Sequence, residues 1–154
     1  MKKLVLNVHA FNDGDTATAA QAIVFELDIA KSGVYEIICV NDLSETLNYS
    51  SETWTDFCSG GFTSTALTGM DPEYSAEAVI RKGASIADLA AKRYTIADMN
   101  NMPMRITNKL LGEVLEVNVS ITDWETTYVG DELIKASFTL KPFSGAPVLA
   151  PLVP

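Results

Sequence analysis

Histidine and cysteine are scarce in this 154-residue sequence, which contains one histidine, His9, and two cysteines, Cys39 and Cys58. A single histidine excludes any site that needs two, such as the paired histidines of zinc proteases. The cysteines form neither a CxxC motif nor a disulfide framework, so we expect two free thiols in a reducing compartment. The sequence also lacks a G-x-S-x-G elbow and a phosphate-binding loop. These absences predict a protein that is not an enzyme and has no metal or cofactor.

Basic residues and long apolar runs are scarce as well. The chain has 11 Lys and Arg against 20 Asp and Glu, a formal charge of −9. This charge argues against sequence-independent DNA binding, which needs basic side chains that face the phosphates. An acidic wall repels phosphate, which suits a conduit through which DNA slides. No apolar run reaches the length of a membrane span, and residues 1–9 lack the apolar core of a signal peptide. We therefore expect synthesis in a cytoplasm and no membrane partner.

Hydrophobic residues are abundant, at 47% of the chain, and in several segments they alternate with a period of two. This periodicity predicts half-buried strands over residues 23–30, 74–81, 115–122 and 134–141. The run Val34–Val40 is more uniformly apolar than these segments and predicts a strand covered on both faces. A helix is predicted from Ser85 to Tyr94, where Asp88 completes a capping-box pattern, and residues 95–98 repeat that pattern as a second short turn. The sequence thus predicts a mainly β (α+β) fold with one flanking α-helix (about 85–94) in a single domain, residues 1–154, with its core at about 20–141.

Two segments lack a regular pattern. Residues 41–71 are rich in Ser, Thr, Asn and Gly and predict a long loop, a feature that is usually functional in a compact domain. Its aromatic residues form either a satellite core or contacts to another subunit: Trp54, Phe57 and Phe62. Residues 142–154 carry four prolines and predict an extended C-terminal arm, which either drapes over its own domain or docks on a neighbour. The apolar residues of this arm are further candidates for contacts between subunits: Phe143, Val148, Leu149 and Leu152.

The order of these segments resembles that of the tail tube (major tail) proteins of long-tailed bacteriophages and related phage-tail-like particles. The resemblance covers about residues 34–147, and its clearest part is the run Asp131–Leu140, which is similar to the last strand of that family. Residues 124–130 resemble the turn before that strand. The pattern is one of elements and residue classes, without a rigid signature motif.

The resemblance implies an antiparallel β-sandwich or barrel-like tail-tube fold, whose copies form hexameric rings that stack into a tube and conduct DNA during ejection. The partners that it implies are other copies of the chain, the tape measure, tail terminator and baseplate or tip proteins, and DNA that crosses the lumen without specific binding. It further implies a virion tail component assembled in the cytoplasm of a bacterial host. Four acidic residues either line the lumen or face outside solvent: Glu26, Asp28, Glu36 and Glu116.

Three alternatives remain open on the sequence alone. A β-sandwich binding module for carbohydrate or a host surface would use Trp54, Trp124, Tyr49 and Tyr128 as a stacking platform. A small hydrolase or isomerase would use acidic groups or Cys58. A tail terminator or baseplate hub protein would share the tail-tube fold but act at an end of the tube. The residues do not distinguish a contractile tail from a non-contractile one, nor a particle with DNA from one without.

Overall fold

The computed structural model describes residues 22–56, 58, 60–131 and 133–153, which form one antiparallel sheet of eight strands with two short helices. The early strands are β1 (Ile23–Leu27), β2 (Glu36–Ile37), β3 (Asp42–Thr55) and β4 (Thr63–Val79). The helices α1 (Ser85–Ala91) and α2 (Ile96–Met99) follow. The chain then forms β5 (Met102–Asn108), β6 (Glu113–Val129), β7 (Leu133–Pro142) and β8 (Val148–Pro151).

The strands follow the order β2-β1-β5-β6-β7-β4-β3, and residues of β1, β4, β5, β6 and β7 share one core, so we describe the sheet as an open barrel. The two ends of this order lie close together, because the Ile38 amide donates to Phe25 of β1 and the Asn41 amide donates to Glu77 of β4. Three residues of extended chain reach at most about 11 Å, so the outer strands approach each other across the barrel. The described residues thus form mostly antiparallel β-structure, as the sequence predicts.

The barrel interior contains one hydrophobic core. Alternate residues of β4, β5, β6 and β7 point into it, and α1 covers it with Ile86 and Leu89. The inward residues of the sheet are those that the period-two patterns predict: Tyr74, Ala76, Ala78, Val117, Val119, Ala136, Phe138 and Leu140. Met102 and Met104 complete the core from β5 and are fully buried. The predicted alternation is confirmed at these positions, whereas Ile134, which belongs to the same predicted pattern, is 37% exposed.

Several predicted boundaries were wrong. The helix ends at Ala91 rather than Tyr94, and it begins after Ala84 without a side-chain cap, so Ser85 is its first residue rather than its cap. The second turn predicted at residues 95–98 is confirmed as α2. β6 runs to Val129, so most of the turn expected at 124–130 is strand. Only Glu36–Ile37 of the run 34–40 is a strand, and Val34 is 64% exposed.

The long loop predicted over residues 41–71 was wrong, because this stretch is a β-hairpin. β3 pairs with nearly all of β4, from Asp42–Glu77 to Thr55–Thr63, with one bulge between Ser50 and Ser51. Both faces of most of this hairpin meet solvent, so its residues show no contrast between buried and exposed positions. Period-two patterning identifies a strand only where one face is buried, which is why the sequence looked irregular here.

The C-terminal segment drapes over its own domain, one of the two arrangements that the sequence left open. β8 pairs with the beginning of β6 from Glu113–Pro151 to Glu116–Val148. The amide of Phe143 donates to Asn118, and the amide of Leu152 donates to Gly112. The prolines are tolerated because β8 forms only a short ladder at an edge and Pro151 ends it. The predicted extended arm is thus part of the sheet over Val148–Pro151.

Candidate functional site

Several backbone edges of the described strands have no partner strand, and two of them bound the strands β6-β7-β4-β3. Residues 43–49 of β3 have no strand on the side away from β4. Residues 120–129 of β6 pair with β7, but β5 reaches only Val119 on the other side. The four strands β6-β7-β4-β3 therefore form a sheet with an open edge at each end. An exposed edge presents N–H and C=O groups that pair readily with a strand of another chain.

The hairpin β3–β4 extends beyond the rest of the sheet as a two-stranded ribbon, residues 44–71. β7 pairs with β4 only from Tyr74 to Val79, so no third described strand joins the ribbon. Its residues are exposed or half-buried throughout. A two-stranded ribbon without a packed face is marginal in water. A contact with another surface is the usual means of stabilising such a ribbon.

One face of the ribbon is apolar. The register pairs Tyr49 with Met70 and Ser51 with Leu67, and Leu47 lies two residues before Tyr49 on the same face. Leu47 is 38% exposed, Met70 47%, Tyr49 55% and Leu67 66%. Large exposed apolar side chains that share one face mark an interaction surface. Sequence reasoning missed Leu47, Leu67 and Met70 and assigned Tyr49 to a different surface, and the bulge beside Thr68 makes the spacing between Leu67 and Met70 odd although they share a face.

The aromatic residues predicted in this region lie on the ribbon and its turn. Trp54 is 49% exposed and pairs with Ser64 in the ladder, while Phe62 is 77% exposed in the turn before β4. Both are therefore outside the core, so the satellite-core interpretation was wrong for these two residues. Phe57 lies outside the described residues.

The apolar residues predicted at the C-terminal end also remain accessible. Phe143 is 51% exposed after β7, and Val148 and Leu149 are 63% and 60% exposed on β8. Leu152 is half-buried beyond the end of the strand. Backbone pairing with β6 therefore holds this segment in place while several of its side chains still face outwards.

The four acidic residues proposed for a lumen wall have different surroundings. Glu26 is bound by Arg105, whose Nε and Nη2 atoms lie 2.7 and 3.1 Å from its two carboxylate oxygens. Asp28 is only 2% exposed, and its carboxylate accepts the amides of Ser32 and Gly33 at 3.0 and 2.7 Å. Asp28 therefore holds the turn after β1 rather than facing a solvent-filled channel. Glu36 is half-buried on β2, and Glu116 is exposed on β6.

Arg105 links three strands on the outside of the barrel. It lies between Glu26 of β1 and Glu116 of β6 in the two ladders, and its guanidinium group is 4.3 Å from the centre of the Tyr35 ring. The hydrogen bond that the Arg105 guanidinium group donates to the Glu26 carboxylate raises the pKa of Arg105. This paired arginine offsets the acidic charge on that side of the barrel, over β1, β5 and the beginning of β6.

The outer face of the open-edged sheet is polar. Residues that alternate with the core positions share a shallow surface across β3, β4, β7 and the end of β6. They are Asp42, Ser44, Ser75, Glu77, Asp123, Glu125, Ser137 and Thr139. Two lysines neutralise part of the acidic charge, because Lys135 lies 3.8 Å from Glu77 and Lys141 lies 3.3 Å from Glu73. We refer to this surface as the polar face.

The residues of the alternative functions are not brought together. Trp54 and Tyr49 are five residues apart on β3, an odd spacing that places them on opposite faces of the ribbon. Trp124 stacks on Phe138 at 5.2 Å, and its indole N–H donates to Thr126. Tyr128 lies on β6, separated from β3 by two strands. The predicted stacking platform therefore does not form. Among the described residues, no group of three or more His, Cys, Asp or Glu side chains is arranged to hold a metal ion.

Tyr74 has a phenol buried in the core beside the ribbon. It is 1% exposed, and burial together with the nearby carboxylate of Glu45 raises its pKa well above the ordinary value near 10. The unfolded chain therefore loses this proton first, and stability falls as the pH rises above about 10, by about 1.4 kcal/mol per pH unit for this group. We expect Tyr74→Phe to flatten that alkaline decline in urea unfolding curves between pH 9 and 11.

The exposed Tyr128 provides the matched control, because Tyr128→Phe removes a hydroxyl from the surface of β6. An equal flattening in both variants would contradict the assignment of the decline to Tyr74.

Comparison with solved structures shows the same fold in three assemblies. The chain is similar to a protein in the tail of an empty gene transfer agent particle with C6 symmetry, with a TM-score of 0.67 and 14% identity over 85% of this chain and 97% of that one. A protein of the PVC sheath–tube complex, an extracellular contractile injection system, gives 0.60 and 14% over 86% and 90%. The SPP1 tail tube gives 0.61 and 8% over 86% and 78%.

These similarities confirm the tail-tube fold that the sequence resemblance predicted. No protein-family model matches the chain, and no curated protein matches it. None of the described helices is long and apolar enough to cross a membrane.

Proposed function

We propose that the protein is a structural subunit of a phage tail or tail-like particle, and that its copies form stacked rings that make up the tail tube. The observation that carries this proposal is the sheet β6-β7-β4-β3, which has an open edge at each end. Pairing the edge of β3 with the end of β6 in the next copy is a head-to-tail contact, and repetition of such a contact generates a ring. The fold shared with tails and a tail tube supports the same assembly.

Six copies are the ring size that we propose. The tail of the gene transfer agent particle has C6 symmetry. Four strands from each of six copies give a wall of 24 strands, which at about 4.8 Å per strand has a circumference of about 115 Å and a diameter of about 37 Å before strand tilt widens it. A bore of this size accommodates a DNA double helix.

The polar face is our candidate for the lumen wall. If edge pairing builds the wall from β6-β7-β4-β3, one side of each copy's sheet packs on its own core and the other faces the bore. That second side carries Asp123, Glu125 and Glu77 and many hydroxyl groups, so it repels phosphate and offers no basic cluster for binding DNA. The earlier candidates Glu26 and Glu116 belong to β1 and the beginning of β6 and would lie on the outer side of the tube.

The ribbon is the proposed contact between successive rings. It projects beyond the sheet and presents the apolar face of Leu47, Tyr49, Leu67 and Met70. The exposed residues Phe143, Val148 and Leu149 offer a second apolar surface. A stacking contact that repeats without closing extends a ring into a tube.

The biological setting follows from this role and is part of the proposal. The subunit is assembled in the cytoplasm of a bacterial host and becomes part of a tail, with tape measure, terminator and baseplate or tip proteins as neighbours. It has no enzymatic activity and no cofactor. DNA crosses the lumen without specific binding.

Negative-stain microscopy of concentrated protein tests the assembly, and a labelling experiment tests its orientation. The native cysteines are replaced with serine, and a single cysteine is placed at Ser137 on the polar face or at Glu116 on the opposite side. We expect tubes in which a 5 kDa maleimide–polyethylene glycol labels the Glu116→Cys variant and leaves the Ser137→Cys variant mostly unlabelled, because a bulky reagent enters the bore only at its ends.

Both variants should react fully after dissociation of the tubes. A strictly monomeric protein at high concentration would refute the proposal. Single rings that never stack would instead assign the chain to a terminator or hub. Reversed labelling would place the polar face outside.

A further inference from the structure

The two edges that bound the sheet β6-β7-β4-β3 lack the residues that usually keep a strand edge from pairing. Residues 43–49 of β3 and 123–129 of β6 contain no lysine, arginine or proline. In the described part of the chain, no strand pairs with the outer side of either stretch. Charged residues such as lysine, together with proline, commonly block such pairing in edge strands. Both edges are therefore suited to accept a strand.

Rotation about a tube axis fixes the direction and the face of a contact between these edges. Successive strands of the sheet are antiparallel, so β3 runs opposite to β6 in every copy. A rotation preserves the direction of each strand along the axis and keeps the same face of the sheet towards the bore. β3 of one copy is therefore antiparallel to β6 of the next. A slip by one residue would mix the two faces of the sheet, so only every second register is compatible with the ring.

The side chains on the core side of the two edges have the same order of apolar and polar residues. On β3, three residues lie on this side, because the first of them is paired with the buried Ala76: Leu43, Glu45 and Leu47. On β6, three residues lie on this side, because the middle one is paired with the buried Ala136: Trp124, Thr126 and Tyr128. Each row thus has one polar residue between two large apolar or aromatic residues.

We propose that β3 pairs with β6 of the next copy in one register, from Leu43–Tyr128 to Asn48–Asp123. This inference rests on the proposed function, because it specifies the contact that closes the ring. The six pairs end where β6 has its bulge between Ile121 and Asp123. The partner of each open edge is thereby a second copy of this chain.

The two leucines of β3 each meet an aromatic ring in this register. Leu43 lies opposite Tyr128, and Leu47 lies opposite Trp124. Leu47 is 38% exposed and Tyr128 68% in the isolated chain, so pairing covers apolar surface that the single copy leaves open. Cross-strand pairs of aromatic and aliphatic side chains stabilise a ladder.

The polar residues in the middle of the two rows also complement each other. Glu45 lies opposite Thr126, whose hydroxyl accepts the Trp124 indole N–H at 2.9 Å and can donate its own hydrogen to a carboxylate. A slip of two residues in either direction instead places the Glu45 carboxylate opposite an aromatic ring, that of Trp124 or Tyr128. Larger slips leave fewer pairs between the two open stretches. The proposed register is therefore the one in which the side chains match.

Disulfide formation between copies tests the register. With both native cysteines replaced by serine, Ser44→Cys is combined with Thr127→Cys, a directly opposite pair on the polar face. The matched control combines Ser44→Cys with Glu125→Cys, which lie diagonally in this register and directly opposite after a slip of two residues. Opposite Cβ atoms are about 5 Å apart and diagonal ones about 7 Å. In assembled tubes under mild oxidation, we therefore expect the first pair to link at least about tenfold faster, as a ladder of covalent oligomers on a non-reducing gel.

These links can form only between copies. Within one chain, β4 and β7 lie between Ser44 and Thr127, so three strand spacings separate them by at least about 14 Å. A disulfide does not span that distance. Chains that carry only Ser44→Cys, mixed before assembly with chains that carry only Thr127→Cys, should give covalent dimers and nothing larger.

Charge variants on the polar face provide a second readout. Thr46 lies opposite Glu125 in the proposed register, so Thr46→Glu places two carboxylates opposite each other. We expect the critical concentration for assembly to rise at least about threefold. Adding Glu125→Lys to the same chain should restore the wild-type concentration, and adding Asp123→Lys should restore less. Rescue by Asp123→Lys but not by Glu125→Lys would overturn the register.

The outcomes separate this inference from the proposed function. Tubes in which the Ser44–Glu125 pair links faster, or in which neither pair links, would overturn the register and leave the tube itself intact. A wild-type chain that stays monomeric would refute both.

Discussion

Tube formation is expected to disappear when Leu67 and Met70 on the ribbon are both replaced with aspartate, while the single chain stays folded. These side chains are 66% and 47% exposed in the isolated chain, so aspartate at either position disturbs no core packing. In a stacking contact, burial of a leucine or methionine contributes about 1.5–3 kcal/mol. The loss of two such contacts predicts a critical concentration for assembly that rises at least about 100-fold, measured by sedimentation and negative-stain microscopy.

The control for this prediction is Ile96→Asp, which places the same charge on an apolar side chain of α2 that is 79% exposed. We expect this variant to assemble at the wild-type concentration. Circular dichroism should show the same strand content for all three proteins. Unchanged tubes in the Leu67→Asp, Met70→Asp variant would remove the ribbon from the stacking contact, although ring formation by edge pairing would still stand.

Phe138→Ala should lower the free energy of unfolding by about 3–5 kcal/mol, the usual range for a large aromatic residue removed from a core. Phe138 is 2% exposed in the middle of β7, where it stacks on Trp124 at 5.2 Å with an angle of 14° between the rings. It is also paired with Ala76 across the β4–β7 ladder. The change therefore opens a cavity where two strand pairs meet the core. Urea unfolding followed by tryptophan fluorescence measures the loss.

Phe143→Ala is the matched control, because the same substitution is made five residues later on a side chain that is 51% exposed. We expect a loss below about 1 kcal/mol there. Equal losses in the two variants would contradict the placement of Phe138 in the core. If Phe143 also contributes to the outer apolar surface, its replacement should weaken assembly without weakening the fold.

Strands with one buried face were predictable from the sequence because their apolar and polar residues alternate. In β7, Ala136, Phe138 and Leu140 are buried while their neighbours are not, and the same holds for Tyr74, Ala76 and Ala78 in β4. The ribbon shows no such alternation, because polar residues such as Ser, Thr and Asn are acceptable on both of its solvent-facing sides. Its pairing arises from register with the partner strand, which a local pattern does not contain.

For the acidic candidates too, the sequence showed one part and the tertiary structure another. Their number and the charge of −9 were evident from composition. Their roles depended on neighbours distant in the chain, such as Arg105, which is bound to Glu26 although 79 residues separate them. Asp28 was a plausible wall residue until the turn that follows β1 placed two amides on its carboxylate.

The sequence by itself determined that this is a β-rich, acidic protein, because periodicity and charge are local properties of the chain. The order of its segments also predicted a tail-tube fold. Only the tertiary structure decided which strand edges are left open, that the polar stretch is a projecting ribbon, and that Leu47, Tyr49, Leu67 and Met70 share one face. These features depend on pairing between residues far apart in the chain, and such pairing exists only in the folded sheet.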